Sequence, residues 1–259
     1  MSGTFAPDPD AAGVVRQVRA HAALETRLLL RNGEQLLLAL GIPVLVLVAG
    51  VAVEDRLDLV AGVSGADLLT PGVLALAVMS TAFTSLAIAT GFDRRSGVLK
   101  WLGVTPLSRG GLLLGKALAL LMVLLLQGAV ILLVGRLLGR SPLDAAAVLA
   151  LVLAAGLGTA AFAGLALALA GSLRAEATLA AANLVYLLLL AGGAVVLPRT
   201  AYGAAGPWLQ LLPSAALGDA MRAATLEGYA GPVAWVPLGV LAAWAVLGYL
   251  LAVRLFRWE

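Results

Sequence analysis

The pattern of apolar and polar positions divides the chain into a polar N-terminal part followed by six long apolar runs, at 36–53, 72–92, 112–134, 145–171, 177–197 and 233–253. Each run is close to the ~20 residues that a helix needs to cross ~30 Å of hydrocarbon. None alternates polar with apolar residues, so strands closed into a barrel are excluded and helices are predicted. The fold class that follows is an all-α membrane protein with six transmembrane helices. Ahead of the first run, helical spacing over 14–31 places Arg16, Arg19 and Arg27 on one face. Val14, Val18, Ala22, Leu28 and Leu29 fall roughly opposite. This predicts an amphipathic helix lying in the inner leaflet interface, with a plain cytoplasmic helix as the alternative. Asn32-Gly33 breaks the chain before the first span. The first 35 residues carry Asp8, Asp10, Arg16, Arg19, Glu25, Arg27 and Arg31 and no continuous apolar stretch, so no cleavable signal peptide is expected. The expected organisation is a cytoplasmic tail and interfacial helix over 1–35, then a transmembrane domain over 36–259. Within that domain lie a cytoplasmic loop at 93–110 and an outer segment at 198–232.

Composition sharpens this picture. Of 259 residues, 62% are apolar and 12% charged, with a mean hydropathy of +1.03. Soluble domains carry about 45–50% apolar and about 25% charged residues, so a water-soluble enzyme is excluded. The chain has no cysteine, which removes thiol catalysis, disulfides and thiolate metal sites. Its one histidine, His21, excludes multi-histidine zinc or copper sites and haem with paired histidines. The net charge of +3 is scattered over short loops, which fits membrane orientation and not a nucleic-acid surface. With the N-terminus inside, the inner segments hold 12 Lys and Arg residues and the outer ones 5. This bias puts both termini in the cytoplasm of a multi-pass protein of the cell membrane. Arg136 and Arg140, between the third and fourth spans, run against the bias.

The loop at 93–110 carries the most information. Asp93, Arg94, Arg95, Lys100 and Arg109 make it charged, while Val98, Leu99, Trp101 and Leu102 are apolar. A short helix is predicted, stopped near Gly103, followed by Thr105-Pro106 as an N-cap and first helical residue. A rim of apolar knobs and arginines suits a cytoplasmic partner, or alternatively a basic loop that only sets topology. The run Arg94-Arg95-Ser96-Gly97-Val98-Leu99-Lys100-Trp101-Leu102, then Thr105-Pro106-Leu107-Ser108-Arg109, then Leu112-Leu113-Leu114-Gly115-Lys116, resembles the signature of ABC-2 type transporter permeases. The likeness extends in layout to the amphipathic N-terminal helix, the six spans and the long outer segment. Where many members carry Glu beside the glycine, this chain has Arg95, Ser96 and Val98.

The resemblance implies that this loop bears the coupling helix that docks into a separate ABC ATPase subunit. Arg94, Arg95, Gly97, Leu99, Trp101 and Leu102 would then be the docking residues. It also implies short outer re-entrant helices in 198–232. There Trp208-Leu209-Gln210-Leu211-Leu212 before Pro213 is too short to span, and Tyr202 and Trp208 suit an interface. A surface loop with an amphipathic helix is the alternative. The sequence holds no G-x-x-x-x-G-K-[ST] loop, since Gly111 to Lys116 has the wrong spacing. The chain is therefore expected to be no enzyme and to hold no cofactor, with ATP and magnesium bound by the partner. Six helices from one chain enclose little room, so a homodimer or a pairing with a similar permease is expected, surrounded by lipid.

Polar residues inside spans are candidates for a translocation path, because lipid makes them costly. They are Thr81, Thr84 and Ser85 on the second span, Gln127 on the third, and Asn183 and Tyr186 on the fifth. The competing role is structural: hydroxyls bond their own helix and amides join helices. Gly156, Ala160, Gly164 and Ala168 repeat every four residues and predict a close-packing face on the fourth span. Gly62-Val63-Ser64-Gly65 matches the G-x-S-G of a rhomboid intramembrane serine protease, but the single histidine precedes the first span. A lipid-modifying enzyme lacks its paired carboxylates here, since Asp93 stands alone in sequence. A secondary transporter lacks internal repeats and buried coupling charges. The expectation is the permease subunit of an ABC exporter with a hydrophobic or amphipathic cargo of drug, lipid or glycan type.

Overall fold

A computed structural model describes residues 12–31, 33–57, 63–97, 109–226 and 235–255. Among these the regular structure is all helical and there is no strand. The elements in order are α1 (Val14–Arg31), α2 (Gly33–Leu57), α3 (Gly65–Met79), a π-helix (Ser80–Ser85) and α4 (Leu86–Arg95). There follow α5 (Arg109–Leu137), α6 (Ala145–Ser172), α7 (Ala175–Gly192), a 3-10 helix (Arg199–Ala205), α8 (Gly206–Leu209), α9 (Pro213–Thr225) and α10 (Trp235–Leu255).

Among the described residues, five helices are long and apolar enough to cross a membrane: Gly65–Arg95, Leu114–Leu137, Ala145–Ser172, Ala175–Gly192 and Trp235–Leu255. The first predicted run is represented by a shorter apolar stretch, Ala39–Glu54, inside α2. The run predicted at 72–92 is longer than its hydropathy suggested. Ser64 starts the helix early: its hydroxyl accepts from the Asp67 N–H at 3.1 Å and donates to the Asp67 carboxylate at 2.8 Å. The run predicted at 177–197 stops sooner, at Gly192, and residues 193–198 continue without helix. Asp144 caps α6 by accepting from the Ala147 N–H at 2.7 Å, so this carboxylate is a helix cap.

Gly65–Arg95 forms the centre of the bundle. Its apolar window is 72% buried, against 17–33% for the other four spans. Apolar contact therefore surrounds this helix, while the others turn leucines and valines outward, as helices facing lipid do. Phe83 and Phe162 meet edge to face at 6.2 Å in the middle of the core. α6 packs most extensively on α10, and the reason is local. A Cβ placed on Gly164 would lie 2.6 Å from the backbone carbon of Gly248. The two backbones touch, as small residues permit in a membrane bundle. The four-residue repeat holds only in its second half. Gly164 and Ala168 are buried, whereas Gly156 and Ala160 are exposed. The face turns instead through Ala154, Gly158 and Ala161, because the 3.6-residue helical turn carries a four-residue repeat gradually off the contact. Gly158 faces Leu217 of α9.

α9 is 13 residues long, too short to span, yet Pro213 through Arg222 are all buried. It packs against α3, α6 and α10, starting from Pro213 at a position where the missing N–H costs nothing. The Trp244 indole N–H donates to Leu211 O at 2.8 Å and ties α10 to the same segment.

Candidate functional site

The cytoplasmic loop predicted at 93–110 is described at its two ends. Leu99, Trp101 and Leu102 lie outside the described residues. Gly97 ends α4 with φ +75, where a side chain would be strained. Its N–H donates to Arg94 O at 3.3 Å, closing the helix.

Asp93, Arg94 and Arg95 reach in three directions. Arg94 donates to Ala170 O at 2.9 Å, Gly171 O at 2.6 Å and Leu173 O at 2.7 Å. These carbonyls belong to the last turn of α6 and to Leu173, which caps it; the helix end has no intrahelical donors left for them and carries the negative end of the dipole. A planar guanidinium can serve three such acceptors at once. Arg95 ion-pairs with Glu176 in the first turn of α7, an exposed contact. Asp93 accepts from the Lys116 ammonium at 2.8 Å, and Lys116 donates also to Glu25 at 3.0 Å.

Lys116 therefore links α4 to α1 from its own place near the start of α5. Its side chain is only 12% exposed, so these two carboxylates replace most of its water. Asp93, which stands alone in sequence, is thus paired. Glu25 is in turn 3.6 Å from His21 one helical turn earlier, as the i, i+4 spacing predicts. The His21 ring lies over Gly115, where a Cβ would come within 2.4 Å of it. Thus the buried face of α1, with Val18 and His21, is seated on α5, and Arg16, Arg19 and Arg27 are left exposed on the other side.

The path candidates separate into groups. Thr81 donates to the Gln127 side-chain oxygen at 2.9 Å, and the Gln127 amide donates to Ala39 O at 2.9 Å. Both side chains are buried, and together they join α2, the π-helix and α5. α7 packs against the π-helix, which brings Tyr186 beside Ser80 at the same level. Thr84 has a buried hydroxyl without a hydrogen-bond partner among the described residues, and Ser85 beside it is half-buried. Asn183 stands apart: its amide donates to Leu179 O in its own helix at 3.0 Å, on an exposed face. Ser80 to Ser85 form the π-helix itself. Such widened turns are uncommon, and they often occur at functional positions.

The segment predicted to lie outside holds a cluster that sequence reasoning passed over. Arg222 is fully buried and donates to Val195 O at 2.8 Å and Val196 O at 2.5 Å. Its other terminal nitrogen lies 3.5 Å from Asp219. Asp219 also accepts from Arg199 at 2.5 Å, and Arg199 reaches Gln210 at 3.2 Å. Ser214 donates to Gly193 O at 2.8 Å. Carbonyls of the irregular stretch 193–198 thus find donors on α9, which is the condition for burying non-helical backbone. The signal available in sequence was Asp219 and Arg222 at i, i+3 within an otherwise apolar helix.

Arg136 and Arg140 have local tasks: Arg136 donates to Arg140 O and Arg140 to Ser141 O, each at 2.8 Å. Asp67 accepts from the Ser141 N–H at 2.9 Å and ties this turn to α3. Burial pulls the Arg140 guanidinium below its ordinary range against the nearby Asp67 carboxylate. Arginine starts so high that it stays charged.

No curated protein matches the chain. A family model described as ABC-2 family transporter protein matches residues 61–254, which take in α3 through almost all of α10. The chain belongs to this ABC-2 family of transporter proteins, and is a multi-pass membrane permease of the ABC transporters.

Proposed function

We propose that the chain is the membrane-spanning subunit of an ATP-driven exporter, receiving force at the loop 93–110 from a separate ATPase. Membership of the family implies pairing with an ABC ATPase subunit in general. The observation that carries the reading to this loop is its anchoring: Arg94 and Lys116 fix the two ends to each other and to two further helices, α6 and α1. A loop so held transmits displacement into the spans, where a free loop would absorb it. In this reading the chain binds no nucleotide and has no cofactor of its own, because it lacks the phosphate-binding loop.

Ala39–Glu54 supplies the sixth span, both termini face the cytoplasm of the cell membrane, and α9 is re-entrant from outside. Residues Thr81, Thr84, Gln127 and Tyr186 mark the level of the path. The cargo is hydrophobic or amphipathic, in keeping with spans that bring few charges inward. Two copies enclose the path. The support is Asn183, an amide exposed among Leu184, Leu187 and Leu188 on one of the least buried spans. Lipid disfavours an amide there, and a second protein surface accommodates it.

The chain has no cysteine, so single introduced cysteines report without background. Ser172→Cys should label only from the cytoplasmic side, and Asn183→Cys should form a disulfide-linked dimer. Replacing Leu99 and Trp101 together by Ala should abolish co-purification with the ATPase while membrane insertion persists. Undiminished ATPase binding by that variant would sink the docking assignment.

A further inference from the structure

Asp93, Arg94 and Arg95 are consecutive, yet they bond to different elements. Asp93 and Lys116 stand on the two sides of the loop and meet at 2.8 Å. The ion pair closes the loop at its neck. Through Lys116 the neck is tied to Glu25 of α1. Through Arg94 it is tied to the last carbonyls of α6, and through Arg95 to Glu176 of α7.

We propose that Asp93, Arg94 and Arg95 form a junction inside this chain, with Arg94 as the positioning residue that makes the loop and the α6–α7 turn move as one body. Arg94 then acts on the permease itself and is no contact of the ATPase. The proposal rests on the permease reading for its consequence in transport, but the junction is a property of the chain alone.

The argument is one of donors and acceptors. Three of the Arg94 contacts are to backbone carbonyls at a helix end, a set of acceptors that other groups nearby do not fill. Three of the five guanidinium N–H donors are turned inward onto this helix end, which fixes the side chain against its own chain. Partner recognition is thereby left to residues beyond Gly97. The neck also decides direction. A push on the loop cannot spread its two ends while Asp93 holds Lys116, so the displacement passes to α1 on one side and to α6 and α7 on the other. Arg95 is a lesser member, since both partners of its pair are exposed and exposed pairs hold weakly.

The test uses the full chain in lipid nanodiscs with spin labels on Ser96→Cys and Ser172→Cys, two exposed serines on the two sides of the Arg94 contact. The parent should give one narrow distance distribution. Arg94→Ala should broaden it, and Arg94→Lys, which retains charge and part of the bonding, should recover part of the narrowing. An Arg94→Ala distribution as narrow as the parent's overturns the junction, whether or not an ATPase ever binds. In the complex with the ATPase, the maleimide-labelling rate of Ser172→Cys should change on addition of ATP and vanadate. Arg94→Ala should lose that change while the ATPase co-purifies at the parental level. Loss of the ATPase from Arg94→Ala makes Arg94 a docking residue and overturns the proposal with the permease reading intact. If the parent chain itself retains no ATPase, the permease reading falls and the distance measurement alone decides the junction.

Discussion

Gly164 offers the sharpest test of how the bundle is packed. Substituting Ala adds one methyl group, 2.6 Å from the backbone carbon of Gly248 and 2.9 Å from the Tyr249 nitrogen. Carbon atoms prefer about 3.5–4.0 Å, so α6 and α10 must separate by about 1 Å at this crossing. The obstacle is backbone, which cannot rotate aside as a side chain would. Overpacking of this kind costs about 1–3 kcal/mol. Against this stands a gain of about 0.5–1 kcal/mol from replacing Gly by Ala within a helix. The net expectation is a loss of about 1–2 kcal/mol. Gly156→Ala is the internal control. It lies on the same helix with nothing within 4 Å of its would-be Cβ, and should gain up to about 1 kcal/mol from helix propensity alone. Both variants can be followed by reversible unfolding in mixed micelles, using tryptophan fluorescence. If Gly164→Ala proves as stable as Gly156→Ala, the helices do not meet through these glycines.

Three further outcomes follow from the polar contacts. Arg222→Met should cost about 3–5 kcal/mol, since it strips the donors from Val195 and Val196 and leaves Asp219 buried with one fewer cation; the yield of monodisperse protein and its unfolding midpoint would report this. In a double-mutant cycle of Thr81→Val and Gln127→Leu, the coupling energy should fall near 0.6 kcal/mol and no higher than about 1.7; zero coupling would mean that the bridge across α2, the π-helix and α5 does not form. Lys116→Met should unseat α1 by removing its tie to Glu25. A cysteine at Val18, buried in the parent, would then become reactive to maleimide, and continued protection would show that α1 is held by its apolar face alone.

Individual elements show what was legible along the chain and what was not. Lys116 looked like a basic residue at a span end, and Asp93 like a lone carboxylate. They are 23 positions apart, separated by a loop, and only folding brings them to 2.8 Å. Arg94 and Arg95 belonged visibly to a basic loop, but their acceptors lie near position 170 and at Glu176. A charge in a sequence shows no partner, and solvent exposure and ion pairing leave the same letter. The contact of His21 with Glu25 is of the other kind, because residues four apart on one helix are neighbours by geometry. The small-residue repeat on α6 was legible as a tendency but not in register, since Gly156 and Gly164 differ only in what stands opposite them.

The sequence by itself determined that the chain is helical, that it lies in lipid, and roughly where its spans begin and end. Hydrocarbon leaves a backbone no other way to satisfy its polar groups, so composition and run length suffice. It also carried the family, because the loop motif is local. Tertiary structure alone decided which span is central, how α9 can be short and buried, and which arginines are occupied within the chain. Those outcomes depend on acceptors and packing partners tens of residues away, and no local pattern encodes a contact whose other half lies on a different helix.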